Sequence, residues 1–175
     1  VYLTINQQWI NDCFTVHPNY AKRTPTDYKN DKAKYVFSID TADGTGGDYS
    51  VLNIYKIACL PLSELLKKKE AIRGEMDTTS LVQVATFRTN EYDINEFAAG
   101  VEYITYNLFN SENVRIVLEM NHKGEIIKNR LESNDNYWPS QLVHTKHTEM
   151  AIASKPGIRL GPTNKIRYCE KFKYF

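Results

Sequence analysis

Two short segments of this chain are apolar almost from end to end, and each closes on a carboxylate. The first is Lys34-Tyr-Val-Phe-Ser-Ile-Asp40 and the second is Val114-Arg-Ile-Val-Leu-Glu-Met120. Their β-branched and aromatic residues mark them as strands. Apolar residues on both alternating sets are what a central strand covered on both faces requires. An ionised carboxylate at the end of such a strand is costly unless it is paired, solvated or bound to a cation. The fold must therefore place two central strands and give their terminal acids a reason to be there.

The segments between them order the rest. Asp40 runs into Thr41-Ala-Asp-Gly-Thr-Gly-Gly-Asp48, a Gly-rich turn, and Tyr49–Ile57 follows as a second strand, so the pair forms an antiparallel hairpin. Residues 60–79 are polar and charged and read as an insertion. Leu81–Arg88 is a third strand. Asp93 followed by Glu96 has the form of a capping box, and Ile94, Phe97, Ala98, Val101, Ile104 and Leu108 keep helical spacing behind it. Strand, helix and strand at this spacing imply a parallel crossover into Val114–Met120. A second helix is expected over Gly124–Leu131. Beyond Asn134 the pattern weakens to a short strand near Gln141–Val143, a turn at Lys155-Pro-Gly-Ile-Arg159 and a helix start in 164–172. Residues 1–33 read as an N-terminal arm or linker, with a short helix at Ile5–Phe14. Residues 34–175 read as one α/β domain. A three-strand antiparallel meander followed by parallel crossover strands, flanked by helices, is the order of an RNase H-like mixed sheet.

Composition excludes much else. With 42% hydrophobic and 25% charged residues over 175 positions, global disorder, collagen and coiled coil are excluded. No run of 18 apolar residues offers a membrane-spanning helix. Three widely separated cysteines (Cys13, Cys59, Cys169) point to a reducing compartment and make no zinc site. Net charge is +1, but residues 155–175 carry six basic side chains against one acid. A basic end on an acidic body suits a polyanion partner, and equally a solvated charged face.

In the meander-then-crossover order, the strands ending in Asp40 and Glu119 lie adjacent and parallel, so both carboxylates reach one place. Hard oxygen donors without a Cys/His cluster select Mg²⁺ or Mn²⁺. Two such ions about 4 Å apart suit phosphodiester hydrolysis. The alternative is that Asp40 caps the Gly turn and Glu119 caps the following helix. Asp43 and Asp48 flank that turn. Turns favour Asp for local hydrogen bonding, which is the leading reading of Asp43 beside a functional one, whereas Asp48 returns toward Asp40 across the hairpin and is the better third candidate. Gly44, Gly46 and Gly47 free the loop for positive φ, but the P-loop lysine and the Rossmann spacing are missing, which excludes nucleotide binding there. His122 is placed either to touch a scissile phosphate or to sit on the surface at a helix start. His144 and His147 lack helical spacing and a third ligand. Tyr168, Phe172 and Tyr174 interleave with the basic tail, as a nucleic-acid contact or an amphipathic helix would.

On these residues the chain resembles the nuclease domain of the large terminase subunit of tailed, T4-like bacteriophages. Phe37-Ser-Ile-Asp-Thr-Ala-Asp-Gly-Thr-Gly-Gly-Asp-Tyr-Ser50 is similar to the family's first motif, a strand with its Asp, a Gly-containing turn and a second Asp. Val117-Leu-Glu-Met-Asn-His-Lys-Gly124 is similar to the second, and Lys155-Pro-Gly-Ile-Arg159 to a later segment. The resemblance spans roughly residues 34 to 170. It implies a metal-dependent endonuclease that cuts concatemeric DNA during genome packaging in the cytoplasm of a bacterial host. Asp40 and Glu119 would be ligands of two Mg²⁺ or Mn²⁺ ions and Asp48 an accessory acid. Lys123, Arg159, Lys165 and Arg167 would help hold double-stranded DNA.

The implied partners are an ATPase domain of the same polypeptide, the portal and the small terminase subunit. No Walker A motif occurs in the chain, so an excised nuclease domain is expected. The family's third catalytic Asp has no counterpart before Phe175. Glu149 and Glu170 stand in no matching motif, so the domain is expected to be incomplete at its C-terminal side. Two other readings stay open: another RNase H-like enzyme of the resolvase or transposase type, and a non-catalytic module docking to DNA or a portal.

Overall fold

Burial alternates along the first apolar strand and so decides the layering. In a computed structural model, which describes residues 13–16, 25–42, 46–59, 79–121, 123–145 and 155–159, Tyr35, Phe37 and Ile39 are buried while Val36 and Ser38 are half-buried and Asp40 is exposed. Among the described residues the sheet is five-stranded. Its strands are β1 (Phe14–Val16), β2 (Tyr35–Asp40), β3 (Ser50–Cys59), β4 (Thr79–Thr89) and β5 (Val114–Leu118), in the spatial order β1-β4-β3-β2-β5. β2, β3 and β4 form an antiparallel meander, and β5 joins β2 in parallel. The protein is a mixed α/β fold.

The helices α1 (Pro25–Asn30), α2 (Ile94–Tyr103) and α3 (Gly124–Glu132) bury their apolar stripes in one cluster with Phe37, Ile39, Leu52, Ile54 and Phe87. Phe87 of β4 stacks on Phe97 of α2, and Phe109 meets Tyr28, Tyr35 and Phe37. Among the described residues the helices cover one face of the sheet. The other face, carrying Ser38, Asp40, Asn53, Thr86 and Arg88, is half-buried to exposed. Among the described residues, both-face coverage of β2, expected from its composition, is thus met deeply on one side. Val36 and Val117, which carry the apolar signal on the other side, keep partial exposure.

The local signals act largely as their chemistry dictates. Asp93 accepts from the backbone N–H groups of Asn95 and Glu96, and Glu96 reaches back to the Asp93 N–H, a complete capping box. The apolar stripe behind it runs to Leu108, but the last turn, Ile104–Leu108, widens to a π-helix that delivers Phe109 into the core. Opposite the Ile54/Tyr55 step of β3, β4 carries one extra residue, so Val84 and Ala85 are both buried.

The N-terminal segment departs from its sequence reading. Phe14, expected to end a helix, opens β1 and pairs with Phe87. Residues read as linker form α1, whose Tyr28 is only 2% exposed in the core. Long-range pairing, invisible to a local pattern, makes the difference. Near Gln141–Val143, where a short strand is expected, Pro139–Gln141 is a 3-10 turn. Leu142 then bridges Ile116, and β6 (His144–Thr145) pairs with β7 (Lys155–Pro156). The insertion at 60–78, the Ile5–Asp12 part of the expected first helix and the helix start in 164–172 lie outside the described residues. Among the described residues, no helix is long and apolar enough to cross a membrane.

Candidate functional site

The β2–β5 register carries the site. Ile39 pairs with Leu118, and the Glu119 N–H donates to the Ile39 carbonyl at 3.0 Å. Asp40 and Glu119 are therefore the next pair along the ladder. Neighbouring strands in such a ladder run about 4.8 Å apart. Both follow the pleat away from the helix-covered face, with Asp40 exposed and Glu119 half-buried.

The backbone around Glu119 is gripped from three sides. On its inner edge it bonds Ile39. On its outer edge Ile158 donates to Leu118 at 2.7 Å and Met120 donates to Ile158 at 2.8 Å. The beginning of α3 presses on the third side: a Cβ added at Gly124 would collide with the Glu119 carbonyl. Gly157 closes the outer side, with φ +76° and a Cα so near Met120 and the Leu118 carbonyl that only glycine fits. The side chain is oriented too. Asn121 Nδ2 donates to Glu119 Oε1 at 2.6 Å, and the Thr41 hydroxyl reaches the Asn121 carbonyl at 3.5 Å. Thr41 follows Asp40 directly, so one short network spans the ends of both strands.

The hairpin mouth is also braced. Buried Ser50 accepts from the Ala42 N–H at 3.0 Å, and the Gly46 N–H donates to the Asn90 carbonyl at 2.7 Å, with Gly46 at φ +87°. Asp48 is exposed in this loop, ahead of the β2–β3 ladder, which begins at the Asp40–Val51 pair. It stands two residues before β3. Lys123 is the residue preceding α3, and Arg159 is exposed one residue beyond the Ile158 bridge to Glu119. His144 is exposed, and its Nδ1 lies 2.9 Å from the Leu142 carbonyl. Asp43, His122, His147, Glu149, Lys165, Arg167, Tyr168, Cys169, Glu170, Phe172 and Tyr174 lie outside the described residues.

Donor chemistry tests what the pair could hold. Two carboxylates side by side, one fixed by an amide, offer hard oxygen ligands to a divalent cation. Among the described residues no group of three or more His, Cys, Asp or Glu side chains converges on a point. Asp40 and Glu119 by themselves supply two carboxylates to such a group.

Asn121, part of the Val117–Gly124 motif in the sequence, gains a definite partner only in the fold, through its bond to Glu119. Two further features escape sequence reading. Arg88 stacks on the Tyr49 ring, 4.2 Å from its centroid, and a cleft opens beside them. Their adjacency follows from the β3–β4 register, and a bulge in that ladder hides it from residue counting. No protein-family model matches the chain, and no curated protein matches it.

Proposed function

We propose that this chain is an RNase H-like, metal-dependent DNA endonuclease domain of the terminase large-subunit kind. The observation that carries the reading is the Ile39–Leu118 register, with the Glu119 N–H on the Ile39 carbonyl. It sets two carboxylates from strands 79 positions apart next to each other on an accessible face. A meander followed by a parallel strand beside its first member supports the same reading.

Asp40 and Glu119 would hold Mg²⁺ or Mn²⁺. Such ions supply Lewis-acid stabilisation of phosphodiester oxygens and lower the pKa of water. The chain's own part is positional. Asn121 fixes the Glu119 carboxylate, the two glycines fix its backbone, and Thr41 ties the end of β2 to the same network. Positioning groups of this kind typically alter metal affinity or activity 10- to 100-fold. Asp48 in the hairpin loop, and Lys123 and Arg159 on either side of Glu119 in the fold, would meet the DNA backbone, with salt-sensitive affinity.

The test is cleavage of supercoiled plasmid in Mn²⁺, alongside thermal melting with and without the ion. Wild type is expected to nick or linearise, and Asp40→Asn and Glu119→Gln to be inactive. Mn²⁺ at ten times its Kd should stabilise wild type by about 1.4 kcal/mol and leave Asp40→Asn unshifted. A folded wild type with neither cleavage nor a melting shift overturns the reading, as does an undiminished shift in Asp40→Asn.

A further inference from the structure

The face that bears Asp40 holds a second feature. Arg88 pairs with Val51 across β3–β4, and Val51 pairs with Asp40 across β2–β3. Register partners share a face, so Arg88 lies level with Asp40, two strand spacings or about 10 Å away. Beside it, between β1, β4 and the turn after β4, opens a cleft of about 630 Å³. Thr15 and Thr86, paired across β1–β4, form its floor. The Arg88–Tyr49 stack, Asn90 and Glu91 form its sides.

The lining selects a ligand class. Hydroxyls and an amide dominate, which disfavours an apolar molecule. One cation stands against one carboxylate, Arg88 against Glu91, which disfavours a polyphosphate. A planar guanidinium laid on a tyrosine ring is a stacking platform for a nucleobase. Threonine and asparagine side chains can satisfy the donors and acceptors of a base edge. The volume falls in the range of ligand-sized clefts.

We infer that this cleft holds one unpaired nucleotide of the DNA strand that reaches Asp40 and Glu119, its base against the Arg88–Tyr49 stack and its edge on Thr15 and Asn90, the Thr86 hydroxyl being engaged by Asn53 and Gln83. The inference rests on the nuclease reading for its strand. The cleft opens on the β1 side of β4 and the carboxylate pair lies at β2 and β5, so the bound nucleotide stands about three strand spacings, roughly 14 Å or four base rises, from the phosphate there. The site then favours DNA that is frayed or distorted beside the cut over fully paired duplex.

Fluorescence anisotropy with the full chain in EDTA tests this, using a 12-nucleotide oligothymidine, a duplex of the same length and a duplex with a three-nucleotide unpaired gap. Wild type is expected to bind the single strand and the gapped duplex more tightly than the closed duplex. Arg88→Gln and Tyr49→Ser each change an exposed side chain, and unaltered circular dichroism melts will confirm their folding. Each is expected to weaken single-strand binding about ten-fold and to erase the preference, while the Mn²⁺ melting shift stays at its wild-type value. Wild-type affinity in both variants, or no preference in wild type, overturns the inference. The nuclease reading fails separately, through the Asp40→Asn and Glu119→Gln comparison. If that reading fails while Arg88→Gln still loses single-strand binding, the cleft stands as a nucleotide site and its link to cleavage falls.

Discussion

Glu119 illustrates how much of a site is made by residues with no chemistry of their own. Its carboxylate is aimed by Asn121, and its main chain is wedged between Gly124 and Gly157. Asn121→Ala removes the amide but leaves the strand pairing, so cleavage is expected to fall 10- to 100-fold with little change in melting temperature. Plasmid cleavage and calorimetry on the same preparation check the two together. Gly157→Ala acts on the backbone instead. It forces a Cβ into a left-handed backbone and against Met120, and should cost about 1–3 kcal/mol in urea unfolding. Asp40 and Glu119 were legible in the sequence because each closes an apolar strand. Arg88 and Tyr49 were not. Arg88 reads as the ordinary exposed member of Leu81–Arg88, and only the folded register lays it over Tyr49.

At the level of elements, the capping box and the π-turn bracket α2. Asp93→Ala removes an acceptor for two backbone N–H groups and is expected to cost about 1 kcal/mol, measured by urea titration. The capping box was visible as Asp93 and Glu96 three apart. The π-turn was not, since Ile104 and Leu108 keep helical spacing through it. That turn places Tyr106, whose hydroxyl donates to Gln141 Oε1 at 2.9 Å, while Gln141 Nε2 donates to the Ser111 carbonyl. Burial, helped by Tyr137 and Glu102, raises the Tyr106 pKa well above the ordinary tyrosine value. The folded state therefore holds this proton more tightly than the unfolded chain does. Its contribution to stability is complete below about pH 10 and declines as pH rises above it. Tyr106→Phe should lose about 1–3 kcal/mol at pH 7, since Gln141 is fully buried and would lack a donor. The variant should also show a shallower loss of stability between pH 10 and 11.5. Melts across that range are the check.

Across the whole molecule, the meander and the crossover differ in how far apart in sequence their partners lie. Asp40 and Val51 are 11 positions apart, whereas Ile39 and Leu118 are 79 apart. By loop-closure entropy the longer connection costs about 1.7 kcal/mol more to close. The meander was accordingly legible from local alternation and turn residues, as was the crossover from its helix. β1 and the outer partners of β5 were not, because short segments such as Phe14–Val16 and Gly157–Ile158 acquire their strand pairing only from distant neighbours. The same asymmetry predicts that in native-state hydrogen exchange at low denaturant the Glu119 amide opens at lower free energy than those of Leu52 and Ile54.

The β2–β5 ladder also imposes a chronology. The hairpins can form while the chain between residues 90 and 113 is still finding its place. The two carboxylates meet only when the longest loop of that sheet has closed. A chain arrested before that step, or loosened at that ladder, keeps its meander and has no carboxylate pair. Any cation that depended on both strands would report that this ladder has formed, and its release that the ladder has opened.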